Sequence, residues 1–144
     1  MNNLTEPFFY KRIMIIDDNE IDRYICKRIS KTYHLAETVI EMETAMEALE
    51  YLISIKEYPE CLPELVFLDI NMPGMNGFEF LEAYKDLPES IKKNCIVVML
   101  TSSTHNNDSK RVKEFSHVKG YLEKPLDEAK IRRLCSEEPV LNFS

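Results

Sequence analysis

The feature that most constrains the fold is an unbroken apolar run that ends in a single acid. Leu65 to Leu68 are all apolar, Asp69 follows, and a Pro73-Gly74 turn closes the stretch. An apolar run without alternation, bounded by turn residues, is typical of a strand buried on both faces. Asp69 therefore lies at the carboxyl end of a central strand, where open parallel sheets hold their chemistry. A carboxylate buried there needs a compensating cation.

Similar apolar runs recur along the chain, and helical patterns separate them. The predicted strands are Arg12–Ile16, Ala36–Met42, Leu65–Asp69, Cys95–Leu100 and Gly120–Glu123. Apolar stripes at helical spacing predict helices near residues 21–29, 45–55, 77–85, 110–116 and 126–135. Asn19 and Thr44 are suited to cap the first two helices. This alternation predicts an α/β fold, a doubly wound five-stranded parallel sheet with helices on both faces.

Length, charge and cysteine usage narrow the class of protein. The 144 residues suit one domain, which we expect over residues 12–135, between an N-terminal arm (1–11) and a C-terminal tail (136–144). A net charge of −7 argues against binding to nucleic acid or to anionic membranes. Four scattered cysteines without a CxxC pair, and no apolar leader or membrane span, favour a cytoplasmic protein with reduced thiols.

Polar residues stand at the ends of four predicted strands. Asp17 and Asp18 follow the first strand and Asp69 ends the third, whereas Thr101 and Lys124 follow the fourth and fifth. Right-handed crossovers bring the carboxyl ends of parallel strands to one side of the sheet, so we expect these side chains to meet. Carboxylates gathered in this way repel one another unless cations intervene. Lys124 supplies one cation, and Mg²⁺, which prefers oxygen ligands, suits the acids as the other.

Such a set of groups suits transfer of a phosphoryl group to a carboxylate. Asp69 would act as the nucleophile and form an acyl phosphate. Mg²⁺ and Lys124 would offset the charge on the transferred group, and Thr101 would donate a hydrogen bond to one of its oxygens. The three histidines share no motif that would suggest a kinase of their own.

The chain resembles the receiver domains of two-component response regulators. Four motifs carry the resemblance, in the family's order and at its spacing: Ile15-Ile16-Asp17-Asp18, Leu68-Asp69-Ile70-Asn71-Met72-Pro73, Leu100-Thr101-Ser102 and Lys124-Pro125. Each motif alone is weak, but together they are specific, and the resemblance extends from about Arg12 to Cys135. It implies the flavodoxin-like, CheY-like (βα)5 fold.

The resemblance also implies roles for individual residues. Asp69 would accept a phosphoryl group from a histidine kinase or a phosphotransfer protein, and Thr101 and Lys124 would contact its oxygens. The Lys124–Pro125 peptide bond would be cis, a state that a bond before proline reaches at modest cost. Tyr121 matches the position of an aromatic switch that turns inward when the threonine moves. The alternative for Tyr121 is a ring that only packs in the core.

The metal ligands follow from the same comparison of motifs. Asp18 would bind Mg²⁺ directly and Asp17 through water, and the backbone carbonyl of Asn71 would join Asp69 in the remaining protein contacts. The protein would then be a signalling switch and not an enzyme, beyond catalysing its own phosphorylation and dephosphorylation.

One segment stands out by its charge. Residues 110–133 carry a net charge of +4, so the rest of the chain carries −11. We expect a downstream protein partner to use this segment, although an ordinary solvated face is an equal alternative. The basic residues considered are Lys110, Arg111, Lys113, Lys119, Arg132 and Arg133. Because no output domain follows, the sequence predicts a stand-alone receiver.

Three other functions are considered. A phosphohydrolase with an aspartyl nucleophile needs an acid two residues after it, whereas Asn71 stands there. A flavodoxin-like cofactor binder needs a phosphate-binding loop after the first strand, where Asp17 and Asp18 would repel phosphate. The third alternative is an adaptor that keeps the receiver fold but is not phosphorylated.

Overall fold

The structure is a computed structural model that describes residues 7–102, 110–136 and 140–141. The strands are β1 (Tyr10–Ile16), β2 (Ala36–Met42), β3 (Leu65–Asp69), β4 (Ile96–Thr101), β5 (Val118–Glu123) and β6 (Val140–Leu141). The helices are α1 (Glu20–Thr32), α2 (Ala45–Ser54), α3 (Gly77–Tyr84), α4 (Glu89–Lys92) and α5 (Glu128–Leu134). A short 3-10 helix covers Pro59–Cys61, and residues 110–112 are also helical.

The strands form one parallel sheet in the order β2-β1-β3-β4-β5-β6. The first five of them match the predicted doubly wound sheet, so the predicted fold class is confirmed. The strand order reverses direction beside β1, and β1 and β3 are neighbours at that point. Every strand runs the same way, so their carboxyl ends share one side, which is here called the carboxyl end of the sheet.

Two hydrophobic clusters cover the two faces of the sheet. Met14 and Leu68 point into one cluster, which includes the buried residues of α2 and α3. Ile13 and Phe67 point into the other, together with Cys26 of α1 and residues of α5. Since successive strand residues face opposite sides, burial of both faces explains why the central runs are apolar throughout.

Side-chain caps fix where several helices begin. Asn19 accepts a hydrogen bond from the backbone N–H of Asp22 at 2.9 Å, and Thr44 does the same for Glu47 at 3.1 Å. Both predicted caps are therefore confirmed, and each satisfies an N–H that the helix itself leaves unpaired. Asp127 caps α5 in the same way, so that helix begins at Glu128 and not at the predicted Leu126.

Both ends of the domain are paired more extensively than the sequence indicates. β1 begins at Tyr10, inside the predicted arm, because the Tyr10 N–H donates to the Leu35 carbonyl at 2.7 Å. In the predicted tail, the backbone of Val140–Leu141 pairs with β5 as a sixth strand. The rest of the predicted arm and tail (1–6, 137–139 and 142–144) and residues 103–109 lie outside the described residues.

The region between β4 and β5 is only partly helical where it is described. Of the helix predicted near 110–116, residues 110–112 are helical and a turn follows. Val112 and Phe115 are buried against α3, where the Arg111 guanidinium lies 4.3 Å from the centre of the Phe78 ring. None of the described helices has the length and apolar character needed to cross a bilayer.

Candidate functional site

The predicted polar residues meet at the carboxyl end of the sheet. Asp17 comes directly after β1, Asp69 and Thr101 end β3 and β4, and Lys124 comes directly after β5. The backbone N–H of Lys124 donates to the Thr101 carbonyl at 2.7 Å, which ties the ends of β4 and β5 together. The peptide bond between Lys124 and Pro125 is cis, as the resemblance implies. The spatial convergence expected from the strand order is thus present.

The site is an acidic pocket. Oxygen atoms of the Asp17, Asp18 and Asp69 carboxylates all lie within 4.8 Å of one another. Asp17 and Asp69 are buried, whereas Asp18 is exposed to solvent. An all-oxygen set of carboxylates that is open on one side fits a hard divalent cation that keeps part of its water shell.

Lys124 is the cation that this pocket contains. Its Nζ atom lies 2.7 Å from Asp17, 2.8 Å from Asp22 and 3.5 Å from Asp69. Burial alone would lower the pKa of the Lys124 ammonium, but hydrogen bonds to Asp17 and Asp22 outweigh it and raise the pKa overall. Lys124 therefore stays charged, and its first two contacts are charge-assisted hydrogen bonds.

The surroundings favour the charged form of Lys124 but disfavour the charged form of Asp69. Burial, followed by repulsion from Asp17, raises the pKa of Asp69 from 3.8 to about 6, against the opposing effects of Lys124 and of the Asn71 N–H. That N–H lies 3.4 Å from a carboxylate oxygen of Asp69. A single ammonium thus does not compensate the gathered acids, and a divalent cation would favour the ionised form.

Arg23 of α1 stabilises the loop that carries Asp17. Its guanidinium donates to the Asp17 carbonyl at 2.8 Å, and it pairs with Glu41 at 3.4 Å and Glu43 at 3.5 Å. Within the loop, the Asn19 N–H donates to the Asp17 carboxylate at 2.9 Å. These bonds position the backbone after β1, and with it the direction of the adjacent acids.

The chain after Asp69 returns very close to its own backbone. The Gly77 N–H donates to the Ile70 carbonyl at 2.8 Å. A Cβ atom at position 77 would lie 2.7 Å from the Asp69 carbonyl oxygen and 2.9 Å from the Ile70 Cα. Only glycine fits here, and Gly74 in the same loop has a φ of +75°, which also favours glycine. These two glycines therefore determine the path of the chain between β3 and the start of α3.

Two residues of the site were not identified from the sequence. These are Asp22 and Arg23, which lie in the first predicted helix and not at a strand end. Side chains in a helix point back toward its amino terminus, so an acid in the first turn after a strand reaches toward the strand end. That geometric rule could have identified Asp22 from its place five residues after Asp17.

Comparison with known proteins identifies the family. The model of the response regulator receiver domain matches residues 13–136. The chain belongs to this family. It is 30% identical over 115 residues to the response regulator Rcp1 of Synechocystis, which covers 79% of this chain and 76% of Rcp1.

Solved structures of receivers share the fold. A two-component response regulator from Cytophaga hutchinsonii superposes with a TM-score of 0.80 at 26% identity, over 88% of this chain and 93% of that one. The Mn²⁺-bound form of Rcp1 has a TM-score of 0.66 at 28% identity, over 87% of this chain and 88% of that one. The chain is therefore a receiver domain of the two-component response regulators, a generally non-enzymatic signalling family. Such domains work with histidine kinases or phosphotransfer proteins and with downstream effectors.

Proposed function

We propose that Asp69 accepts a phosphoryl group from a histidine kinase or a phosphotransfer protein, with Mg²⁺ bound beside it. The observation that carries the proposal is the pocket itself: a buried carboxylate lies 3.5 Å from the Lys124 ammonium and within 4.8 Å of two further acids. The family membership supports the same reading, and so does the Mn²⁺ in the solved structure of Rcp1.

In the proposed step an oxygen of Asp69 attacks the phosphorus atom of a phosphohistidine. The oxygen–phosphorus bond forms while the nitrogen–phosphorus bond breaks, and the imidazole nitrogen of the donor keeps the electron pair. Lys124 neutralises charge on the phosphoryl oxygens, and the Thr101 hydroxyl donates a hydrogen bond to one of them. Asp17, Asp18, Asp69 and the backbone carbonyl of Asn71 would hold Mg²⁺, which supplies further positive charge at the transferred group.

The signal then consists of a shape change that begins at Lys124 and Thr101. A phosphoryl group adds about −1.5 to −2 charge and attracts both residues. Because the Lys124 N–H is bonded to the Thr101 carbonyl at 2.7 Å, a shift of one is passed to the other. Tyr121 is buried in the same cluster as Val112 and Phe115, so a change in its ring position would reach the segment around residue 112.

The downstream partner would bind the basic segment 110–133. All six basic residues considered there are exposed: Lys110, Arg111, Lys113, Lys119, Arg132 and Arg133. Among them, Arg111 lies over the Phe78 ring and Arg132 pairs with Glu128. Lys119 and Arg133 are therefore the first positions to reverse in charge, and unchanged affinity for the partner would contradict this part of the proposal.

The decisive experiment is phosphorylation by acetyl phosphate, followed by the intact mass of the protein. We expect the wild-type protein to gain the mass of one phosphoryl group in the presence of Mg²⁺. The gain should disappear when Mg²⁺ is removed by chelation and in the Asp69→Asn variant. A mass gain that survives Asp69→Asn would mean that another residue is the acceptor, and no gain at all in the wild type would contradict the proposal.

A further inference from the structure

The Lys124 ammonium lies at unequal distances from its three acidic neighbours, Asp17, Asp22 and Asp69. It has three N–H donors. Two of them bond to Asp17 and Asp22 at 2.7 and 2.8 Å, whereas the nearest oxygen of Asp69 lies farther from the ammonium, at 3.5 Å. In the unphosphorylated state the ammonium is thus drawn toward α1 and away from the proposed acceptor.

The two close contacts differ in what their loss would cost. The Asp17 side chain is 3% exposed, so without Lys124 it would become a buried charge with fewer partners. The Asp22 side chain is 35% exposed and lies in the first turn of α1, where water and the positive end of the helix stabilise its charge. When Lys124 turns toward a phosphoryl group, the bond to Asp22 is therefore the one that it can give up.

We propose that Asp22 is a positioning residue that retains Lys124 in the unphosphorylated state and so opposes its transfer to the phosphoryl group. The inference rests on the proposed function. Asp22 contacts neither the phosphoryl group nor the metal; it acts through Lys124 alone. Its effect is to set how strongly the phosphorylated state is favoured once the metal is bound.

This role has a signature that distinguishes it from a structural one. Without the Asp22 carboxylate, Lys124 turns toward Asp69 at lower cost, so an anionic mimic of the phosphoryl group binds more tightly. Mg²⁺ alone gains nothing from the change, because one negative charge near the cation has been removed. A general loss of structure would instead weaken the binding of both ligands.

The test measures two ligands on the full chain by isothermal titration calorimetry: Mg²⁺ alone, and beryllofluoride in saturating Mg²⁺. Asp22→Asn should lower the Kd of beryllofluoride about threefold to fivefold, the size expected for a partly exposed ion pair. It should leave the Kd of Mg²⁺ unchanged or raise it. Asp22→Glu, which retains the acid, should return the Kd of beryllofluoride toward the wild-type value.

Glu20→Gln is the matched control. Glu20 lies in the same first turn of α1 and its loss removes the same charge, but none of the ion pairs described for Lys124 involves it. A change in Asp22→Asn that is no larger than in Glu20→Gln, or weaker beryllofluoride binding, would overturn the inference. If the wild-type protein binds beryllofluoride and Asp22→Asn matches it, this inference fails alone. If the wild-type protein binds neither ligand, the proposed function fails and the inference fails with it.

Discussion

The two ends of the same sheet treat their charged residues in opposite ways. At the amino ends of the strands, acidic and basic residues are nearly balanced around one cleft, which is lined by Lys11, Arg12, Lys93, Glu60 and Glu64. At the carboxyl ends, four acids surround the Lys124 ammonium: Asp17, Asp18, Asp22 and Asp69. Two of these acids, Asp17 and Asp69, are buried. The two sets lie at opposite ends of one sheet, and β1 and β3 carry or adjoin residues of both.

The contacts at each end show why the difference matters. At the amino end, the Arg12 guanidinium donates to the Glu60 carbonyl at 2.7 Å, and the Glu64 carboxylate accepts from the Lys11 N–H, both in exposed positions. Charges in such positions are screened by water and contribute little to stability. At the carboxyl end, the buried carboxylate of Asp69 is only partly compensated by Lys124, and its charge costs stability unless a further cation binds. A region that costs stability is a candidate for function.

We expect the largest effect on stability from a substitution that overfills the tight space beside the Asp69 backbone, at the carboxyl end of the sheet. Gly77→Ala places a methyl group against the backbone of Asp69 and Ile70, and we expect it to destabilise the protein by about 3 kcal/mol. Gly74→Ala is the control, since its Cβ would meet nothing within 4 Å and only its φ of +75° is unfavourable. Its cost should be about 1 kcal/mol. Urea unfolding measures both, and equal effects would contradict the close approach at Gly77.

The second prediction concerns Asp69, whose charged form is disfavoured by its surroundings at the carboxyl end of the sheet. The folded-state pKa of Asp69 is raised from 3.8 to about 6, so the folded protein binds more protons than the unfolded one between these values. Stability therefore falls as the pH rises through this window, and the full penalty applies above it. Without metal, Asp69→Asn should stabilise the protein at pH 8 by about 1 to 3 kcal/mol.

The pH dependence is the control for that prediction. Near pH 4 the wild-type carboxyl is protonated in the folded state, so the advantage of Asp69→Asn should largely disappear. Urea unfolding at pH 4, 6 and 8 in the presence of a chelator measures this. A variant that is less stable than the wild type at pH 8 would show that Lys124 already compensates Asp69 fully.

The sequence predicts the parts of the molecule that depend on strand ends. Asp69 ends a strand with a clear apolar run, and Lys124 follows the short predicted strand Gly120–Glu123. Parallel strands bring their carboxyl ends to one side of the sheet, so the meeting of the two residues follows from the pattern alone. The contact of Asp22 with Lys124 depends on how α1 is rotated about its axis, which its own apolar stripe indicates only coarsely. Arg23 lies on the same helix and was missed for the same reason.

Short and edge elements were the least predictable. α4 has four residues and β6 has two, too few for any periodicity to stand out. β6 depends on a free edge of β5, and an edge is a property of the assembled sheet and not of the segment itself. Tyr10 belongs to β1 for a similar reason, because the Leu35 carbonyl, one residue before β2, accepts a hydrogen bond from its N–H.

The third prediction separates metal binding from folding. Asp18 is exposed, so Asp18→Asn should change the free energy of unfolding by less than about 0.5 kcal/mol in the absence of metal. At a Mg²⁺ concentration about ten times its Kd, the wild type should gain about 1.4 kcal/mol. The variant should lose most of this gain. Urea unfolding with and without Mg²⁺ tests it, and an undiminished gain in the variant would remove Asp18 from the metal site.

The smallest effect is expected at the amino end, and it completes the comparison. Glu64→Gln removes a carboxylate but keeps an oxygen that can accept from the Lys11 N–H. Because Glu64 is exposed, the free energy of unfolding should change by less than about 0.5 kcal/mol, and Mg²⁺ should stabilise the variant as it does the wild type. The same urea titrations measure both quantities. A contradicting outcome would be a Glu64→Gln variant that is stabilised at pH 8 as much as Asp69→Asn. Acids would then destabilise this protein wherever they lie, because of its overall net charge of −7 and not because of burial at one end of the sheet.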